Sequence, residues 1–189
     1  MEDLIKRTLE KIDLSRVEFA DVRVTQTDNE GIYFMNGFLR GYGSSRDSVA
    51  IGVRVLLNGC WGFAGTSDLS EASLDRLVRA AVSNAEQGGN FTREPVTFPA
   101  LPPLRASYHF QPEIDPFSMA KEEKIDFLGR LAARIKPQGK IVHSIVMAQF
   151  QKQQKYYLNS EGTWSHTTFY NTLPMMEVIA SDGNQIQSR

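Results

Sequence analysis

Between Ser48 and Ala85 the apolar positions change period, and the rest of the chain is arranged around that change. Val49, Ile51, Val53, Val55 and Leu57 alternate with Ala50, Gly52, Arg54 and Leu56, the period-2 pattern of a strand with one apolar face. Asn58-Gly59 then tolerates the positive φ angles of a tight type I′ turn, which predicts Cys60–Ala64 running back antiparallel as the second arm of a hairpin. Asp68 is placed to cap a helix, with Glu71 in the reciprocal capping position. Leu74, Leu77, Val78, Ala81, Val82 and Ala85 recur at helical spacing and give that helix one apolar stripe, which Gly88-Gly89 ends.

The flanking segments extend this pattern in both directions. Leu4, Ile5, Leu9 and Ile12 predict a short amphipathic helix. Ala20, Val22 and Val24 alternate with Asp21, Arg23 and Thr25 as a strand, and the polar run Thr27–Gly31 reads as a turn into a strand over 32–36. Asn36-Gly37 is a second tight-turn signal before Phe38–Tyr42, and Gly43-Ser44-Ser45 reads as a flexible turn. From Gly89 to Phe117 the periodicity dissolves, and six of the eight prolines fall there. This segment is expected to run extended over the surface as a long ordered loop, pinned by Phe91, Val96, Phe98, Leu101, Leu104, Tyr108 and Phe110. Ser118 is placed to cap a third helix carrying Ile125, Leu128, Leu131, Ala132 and Ile135, ended by Pro137 and Gly139. Strands over 141–151, 155–159, 163–170 and 173–181 follow, with Ser160-Glu161-Gly162 and Asp182-Gly183 as turns. Neighbouring strands joined by tight turns, without βαβ alternation, predict an α+β fold of antiparallel sheet with about three packed helices. The expected organisation is one domain over 1–189: helix, meander and helix over 1–88, the Pro-rich loop over 89–117, and helix then strands over 118–189.

Gly52-Val53-Arg54-Val55, Asn58-Gly59-Cys60-Trp61-Gly62-Phe63-Ala64 and Leu77-Val78-Arg79-Ala80-Ala81 together resemble the amino-terminal domain of the TldD/PmbA family, bacterial and archaeal zinc peptidases also described as modulators of DNA gyrase. Ala20-Asp21-Val22-Arg23-Val24 fits that family's first strand. Asp115–Lys124 looks like the opening of its next helix, more in the TldD manner than the PmbA one.

Composition narrows the partners. A chain of 189 residues with 41% hydrophobic and 23% charged residues can bury a real core. A net charge of −1 gives no global attraction to nucleic acid or anionic lipid, which argues against direct nucleic-acid binding. The single cysteine, Cys60, excludes an intramolecular disulfide and suits a reducing compartment. The first residues lack the apolar run of a signal peptide, and no segment approaches the ~20 apolar residues that span a bilayer, so a cytoplasmic protein with no membrane partner is expected.

Candidate chemistry is sparse. The three histidines, His109, His143 and His166, share no helix, and no His-Glu-x-x-His pair exists; they are expected to be surface or hydrogen-bonded residues. Cys60 lacks a local acid–base partner and is expected to be a packed small residue. Ser144 beside His143 and Ser165 beside His166 point to opposite strand faces. Gly41–Ser45 lacks the strand-to-helix context of a phosphate loop, and Glu122-Glu123 complements a helix dipole. Arg40, Arg46 and Arg54 form either a small basic patch or a solvated sheet face. Thr163–Tyr170 suits an exposed peptide-binding edge, an oligomer interface, or a strand paired inside the sheet.

The resemblance adds expectations of its own. Family members are longer, and their zinc motif, His-Glu-x-x-x-His with a later cysteine, lies in a carboxy-terminal domain with no counterpart here. The chain is therefore expected to be an amino-terminal fragment or a short reading frame, with no catalytic, cofactor or metal residues of its own. The resemblance implies a zinc peptidase acting on unfolded peptides, within a homodimer or a heterodimer with a family paralogue, to which this domain contributes assembly surface and cavity wall. A stand-alone peptide- or protein-binding module, modulating a larger assembly such as gyrase, is the alternative. A third reading makes the chain an enzyme through His109, His143, His166 and Cys60.

Overall fold

The computed structural model describes residues 1–89, 94–97, 99 and 101–189; the expected anchors Phe91 and Phe98 lie outside them. Helix α1 (Glu2–Glu10) precedes strands β1 (Phe19–Met35), β2 (Phe38–Leu57) and β3 (Cys60–Thr66). Helix α2 (Glu71–Gly89), strand β4 (Arg105–His109) and helix α3 (Lys121–Arg134) follow, then β5 (Ile141–Asn159), β6 (Trp164–Ser181) and β7 (Ile186–Ser188). Strands pair in the order β3-β2-β1-β5-β6-β4, with β7 against β6. This is the α+β class that the pattern predicts. The exception to antiparallel pairing is β4, which lies parallel to β6 with Arg105 opposite Trp164 and His109 opposite Thr168.

The chain forms two compact units. The first comprises 1–26, 48–109 and 153–168. Its core joins Leu4, Ile5 and Ile12 to Ala20, Val22 and Val24 of β1, Ile51, Val53 and Val55 of β2, and the α2 stripe of Leu74, Leu77, Val78, Ala81 and Ala85. The Asn58-Gly59 turn is as predicted, with φ of 52° and 68°, and it sets the β2–β3 register from Leu57 opposite Cys60 to Ile51 opposite Thr66. The second unit comprises 27–47, 110–152 and 169–189. Ile32, Phe34, Val146 and Ala148 form its core with Leu128 and Ala132 of α3. Asn36-Gly37 turns with φ of 54° and 84°.

Several boundaries differ from expectation, each because a distant partner replaces the local signal. Thr27–Gly31 is strand rather than turn, because Asn29 pairs with Gln151 and Ser45 on neighbouring strands and Glu30 with Lys124 of α3. Gly43-Ser44-Ser45 likewise continues β2. The strands expected over 141–151 and 155–159 are one strand, as are those over 163–170 and 173–181. Helix α2 is capped by Ser70, whose carbonyl receives the Leu74 N–H at 2.9 Å, while Asp68 lies a step too early and accepts the Ser70 N–H. Helix α3 starts at Lys121 with no side-chain cap; Asp115 organises the preceding turn by accepting the Phe117 N–H at 2.8 Å, and Ser118 donates to the Asp115 carbonyl. Within the Pro-rich segment, the window between Pro103 and Pro112 is free of proline and forms β4. Backbone bonds help attach the segment: Val96 N–H donates to Gly59 O, and Trp164 N–H to Leu104 O, both at 2.8 Å. Leu101, Leu104, Tyr108 and Phe110 remain exposed. Past Asp182-Gly183 the chain returns as β7 along β6.

Candidate functional site

In the first unit, the parallel pairing of β4 with β6 gathers two of the three histidines. Residues Arg105, Ser107 and His109 stand on one face of β4, opposite Trp164, His166 and Thr168. The rings of His109 and His166 are 4.6 Å apart and near-perpendicular, and Tyr156 of β5 stacks on His166 at 4.1 Å. His109 Nδ1 lies 3.0 Å from the Thr168 hydroxyl. Nε2 of His166 and Nε1 of Trp164 are buried without a hydrogen-bond partner. Burial first, and then the neighbouring His109, hold the His166 pKa below its ordinary value. The native state therefore favours neutral His166. Stability from this group is fully present above the unfolded value of 6.5 and declines as pH falls from there through the lowered folded pKa. A His166→Gln variant should show a flatter dependence of its urea midpoint on pH in that window; an unchanged slope would remove His166 as its source.

Whether these residues fit the zinc that the resemblance implies can be judged from their number and placement. Two imidazoles meet, but among the described residues no group of three or more His, Cys, Asp or Glu side chains is placed to hold a metal ion. The residues present do not fit a zinc site. His143 lies on β5 in the second unit, half-exposed. Cys60 is half-buried, its Sγ against Gly88 and 3.8 Å from the Trp61 carbonyl. The edge expected at Thr163–Tyr170 is covered by β4 from Trp164 to Thr168.

Arg40, Arg46 and Arg54 each have partners of their own. Arg54 donates through Nε at 2.8 Å and Nη2 at 2.6 Å to the fully buried carboxylate of Asp21, and its guanidinium lies over the Trp61 ring at 4.3 Å. Arg23 binds the same carboxylate at 3.0 Å and lies over Tyr157. Burial, followed by the Asp21 charge, raises the Tyr157 pKa. In the second unit Arg46 donates to Glu30 at 3.1 Å and lies over Phe117, and Arg40 lies against Phe38. Alternation gave the faces of Asp21 and Arg54 but not their pairing, which spans 33 residues.

No described helix is long and apolar enough to cross a membrane. The arrangement is that of an α+β scaffold: long strands, α1 and α2 packed in the first core and α3 in the second, and arginine–aromatic contacts on β1, β2 and β3. Residues 20–85, from the buried core of β1 through β3 to the end of the α2 stripe, match the model of PmbA/TldA metallopeptidase domain 1. Over these residues the chain is thus similar to the first domain of that metallopeptidase family. It is 26% identical over 172 residues to a metalloprotease of Methanothermobacter thermautotrophicus, an alignment covering 91% of this chain and 36% of that protein. Two crystal structures share the fold over 99% of this chain, both of proteins named for modulation of DNA gyrase. The Thermotoga maritima protein has a TM-score of 0.76, 17% identity and 42% of its chain covered. The Bacteroides thetaiotaomicron protein has a TM-score of 0.78, 14% identity and 43% of its chain covered. TldE from Thermococcus kodakarensis matches with a TM-score of 0.61 and 13% identity, over 98% of this chain and 40% of that one. The chain spans well under half the length of these relatives. The matches do not separate the TldD branch from the PmbA branch.

Proposed function

We propose that this chain is the amino-terminal, non-catalytic domain of a TldD/PmbA-type metallopeptidase that acts on unfolded peptides. In this reading it contributes to dimer assembly, with a second copy or a family paralogue, and to the wall of the substrate cavity. Zinc would belong to another part of the intact, cytoplasmic enzyme. The observation that carries this reading is the family match over 20–85, which falls on the strand–turn–strand–helix unit around which the first core is built. The chemistry of the described residues supports it, since the two histidines that meet lack the further ligands a zinc-bound water needs. A second reading, a stand-alone peptide- or protein-binding module, draws on β6, where Leu173, Met175 and Met176 are exposed along a stretch that neither β4 nor β7 covers.

Purified chain 1–189 is expected to release no acid-soluble fragments from unfolded casein, with or without added zinc. Co-expression with a family carboxy-terminal domain bearing His-Glu-x-x-x-His should give a chelator-sensitive peptidase. Zinc-dependent cleavage by the chain alone, abolished in His109→Ala/His166→Ala, would overturn the non-catalytic assignment.

A further inference from the structure

Unit two contains an open stretch of sheet face where four uncharged amide side chains, Asn29, Gln149, Gln151 and Asn171, come together. Glu30, Ile32 and Phe34 of β1 point towards α3, and so do Val146, Ala148 and Phe150 of β5. By alternation Asn29 and Gly31, and Gln149 and Gln151, occupy the other face. With Asn171 and Leu173 of β6 they line a cavity of about 380 Å³, within the range of small-ligand sites.

Gly31 forms its floor. A Cβ placed there would meet nothing within 4 Å, so the missing side chain leaves a pit in the sheet surface. The rim is already ordered by a row of amide hydrogen bonds running across the strands. Asn171 Nδ2 donates to Gln151 Oε1 at 3.4 Å, Gln151 Nε2 donates to Asn29 Oδ1 at 3.0 Å, and Asn29 Nδ2 donates to the Ser45 hydroxyl at 3.4 Å. All three bonds point the same way, so each polarises the next. The row leaves Asn171 Oδ1 as an acceptor and the second amide protons as donors at the rim. Leu173 supplies an apolar wall. Among the described lining residues the charged one, Glu30, is turned to the opposite face, where Lys124 and Arg46 neutralise it.

We propose that this pit is a specificity pocket for the carboxamide side chain of an asparagine or glutamine carried on an extended peptide. The inference rests on the reading above that the chain handles unfolded peptides, and it names which of them this domain selects. A carboxamide presents one acceptor and two donors and extends the amide row without placing a charge in it. A carboxylate would meet acceptor oxygens with no cation lining the cavity. An ammonium group would lose hydration without a carboxylate on that face. A leucine side chain would leave the rim donors and acceptors unpaired, which hydrogen-bonding sites reject more strongly than apolar pockets reject small changes of size.

Fluorescein-labelled Gly/Ser peptides with one central residue, Gln, Asn, Glu, Lys or Leu, test the pocket by anisotropy with the whole chain. The Gln and Asn peptides should bind about tenfold more tightly than the Glu, Lys and Leu peptides, the loss expected when polar rim groups go unpaired. Gly31→Leu fills the pit and should abolish that preference. Gly31 is not in the left-handed region and has open space above it, so the variant should keep its thermal midpoint. Asn171→Asp, at an exposed position, places a charge in the row and should cut Gln-peptide affinity while leaving folding intact. Equal binding of all five peptides, a preference for Glu, Lys or Leu, no binding at all, or a Gln preference that survives both substitutions would each overturn the pocket. The peptidase reading is judged separately, by casein cleavage in the co-expressed complex, so cleavage without a Gln or Asn preference sinks this inference alone.

Discussion

Gly62→Ala should destabilise the first unit by about 3 kcal/mol, at the upper end of ordinary overpacking penalties. Gly62 lies on β3 directly beneath α2, where a Cβ would overlap the Ala81 carbonyl oxygen and stand 2.5 Å from the Ala85 nitrogen and 2.8 Å from the Ala85 Cβ. Two of these obstacles are helix backbone, which cannot rotate aside as a side chain can. The helix must lift or slide, and its buried stripe of Leu74, Leu77, Val78, Ala81 and Ala85 moves with it. Gly65, three residues along the same strand, is the control. A Cβ there makes ordinary contacts, the nearest at 3.6 Å with the Ile51 carbonyl, so Gly65→Ala should change stability little. Urea melts of the two variants give the comparison, and equal midpoints would show that α2 does not sit on β3 as closely as described.

In the second unit the largest loss is expected from Lys124→Met, about 3–5 kcal/mol, the range for removing one member of a buried ion pair. Lys124 and Glu30 are both almost fully buried, with side-chain exposures of 3% and 1%. Nζ lies 2.7 Å from Glu30 Oε1 and donates to the Pro116 carbonyl at 2.7 Å. The contact with Oε1 is an ion pair rather than an aligned hydrogen bond, since that oxygen has no hydrogen-bond partner. Its strength is therefore chiefly Coulombic, and without Lys124 the Glu30 charge keeps only Arg46, which is partly solvated. Replacing both partners gives the opposite expectation. Lys124→Met/Glu30→Leu should recover most of the loss, because apolar pairs of similar volume often equal or exceed a buried ion pair. A double variant as unstable as the single one would mean that the Pro116 and Arg46 contacts, rather than the charge pair, carry the effect.

Lys124 and Glu30 also show why the sequence hid part of this fold. Both look like surface residues: one follows Glu122-Glu123 in the exposed opening turn of a helix, and the other sits in a run of polar residues that resembles a turn. Their burial depends on a meeting across more than 90 positions of chain, which no local period encodes. The same holds for the row from Ser45 through Asn29 and Gln151 to Asn171. Ser45, Asn29 and Asn171 fall where the pattern predicts a turn or a gap, and Gln151 where it predicts a strand end, while the structure has continuous strand at all four. His109 and His166 sit 57 residues apart in a Pro-rich segment and a strand, and they meet because β4 pairs parallel to β6. A Pro-free window between Pro103 and Pro112 was the only local hint of that strand.

By itself the sequence determined what depends on neighbours along the chain. The Asn36-Gly37 and Asn58-Gly59 turns, the alternation of β2, the α2 stripe and the α+β class all follow from backbone conformational preference and apolar period. The β2 alternation, the Asn58-Gly59 turn and the α2 stripe also carried the family resemblance. Tertiary structure alone decided which polar side chains are buried and paired, where strands continue through polar residues, and which surfaces remain open. Those outcomes are set by partners far away in sequence, because a charged or amide group is tolerated inside only when a specific second group arrives to satisfy it.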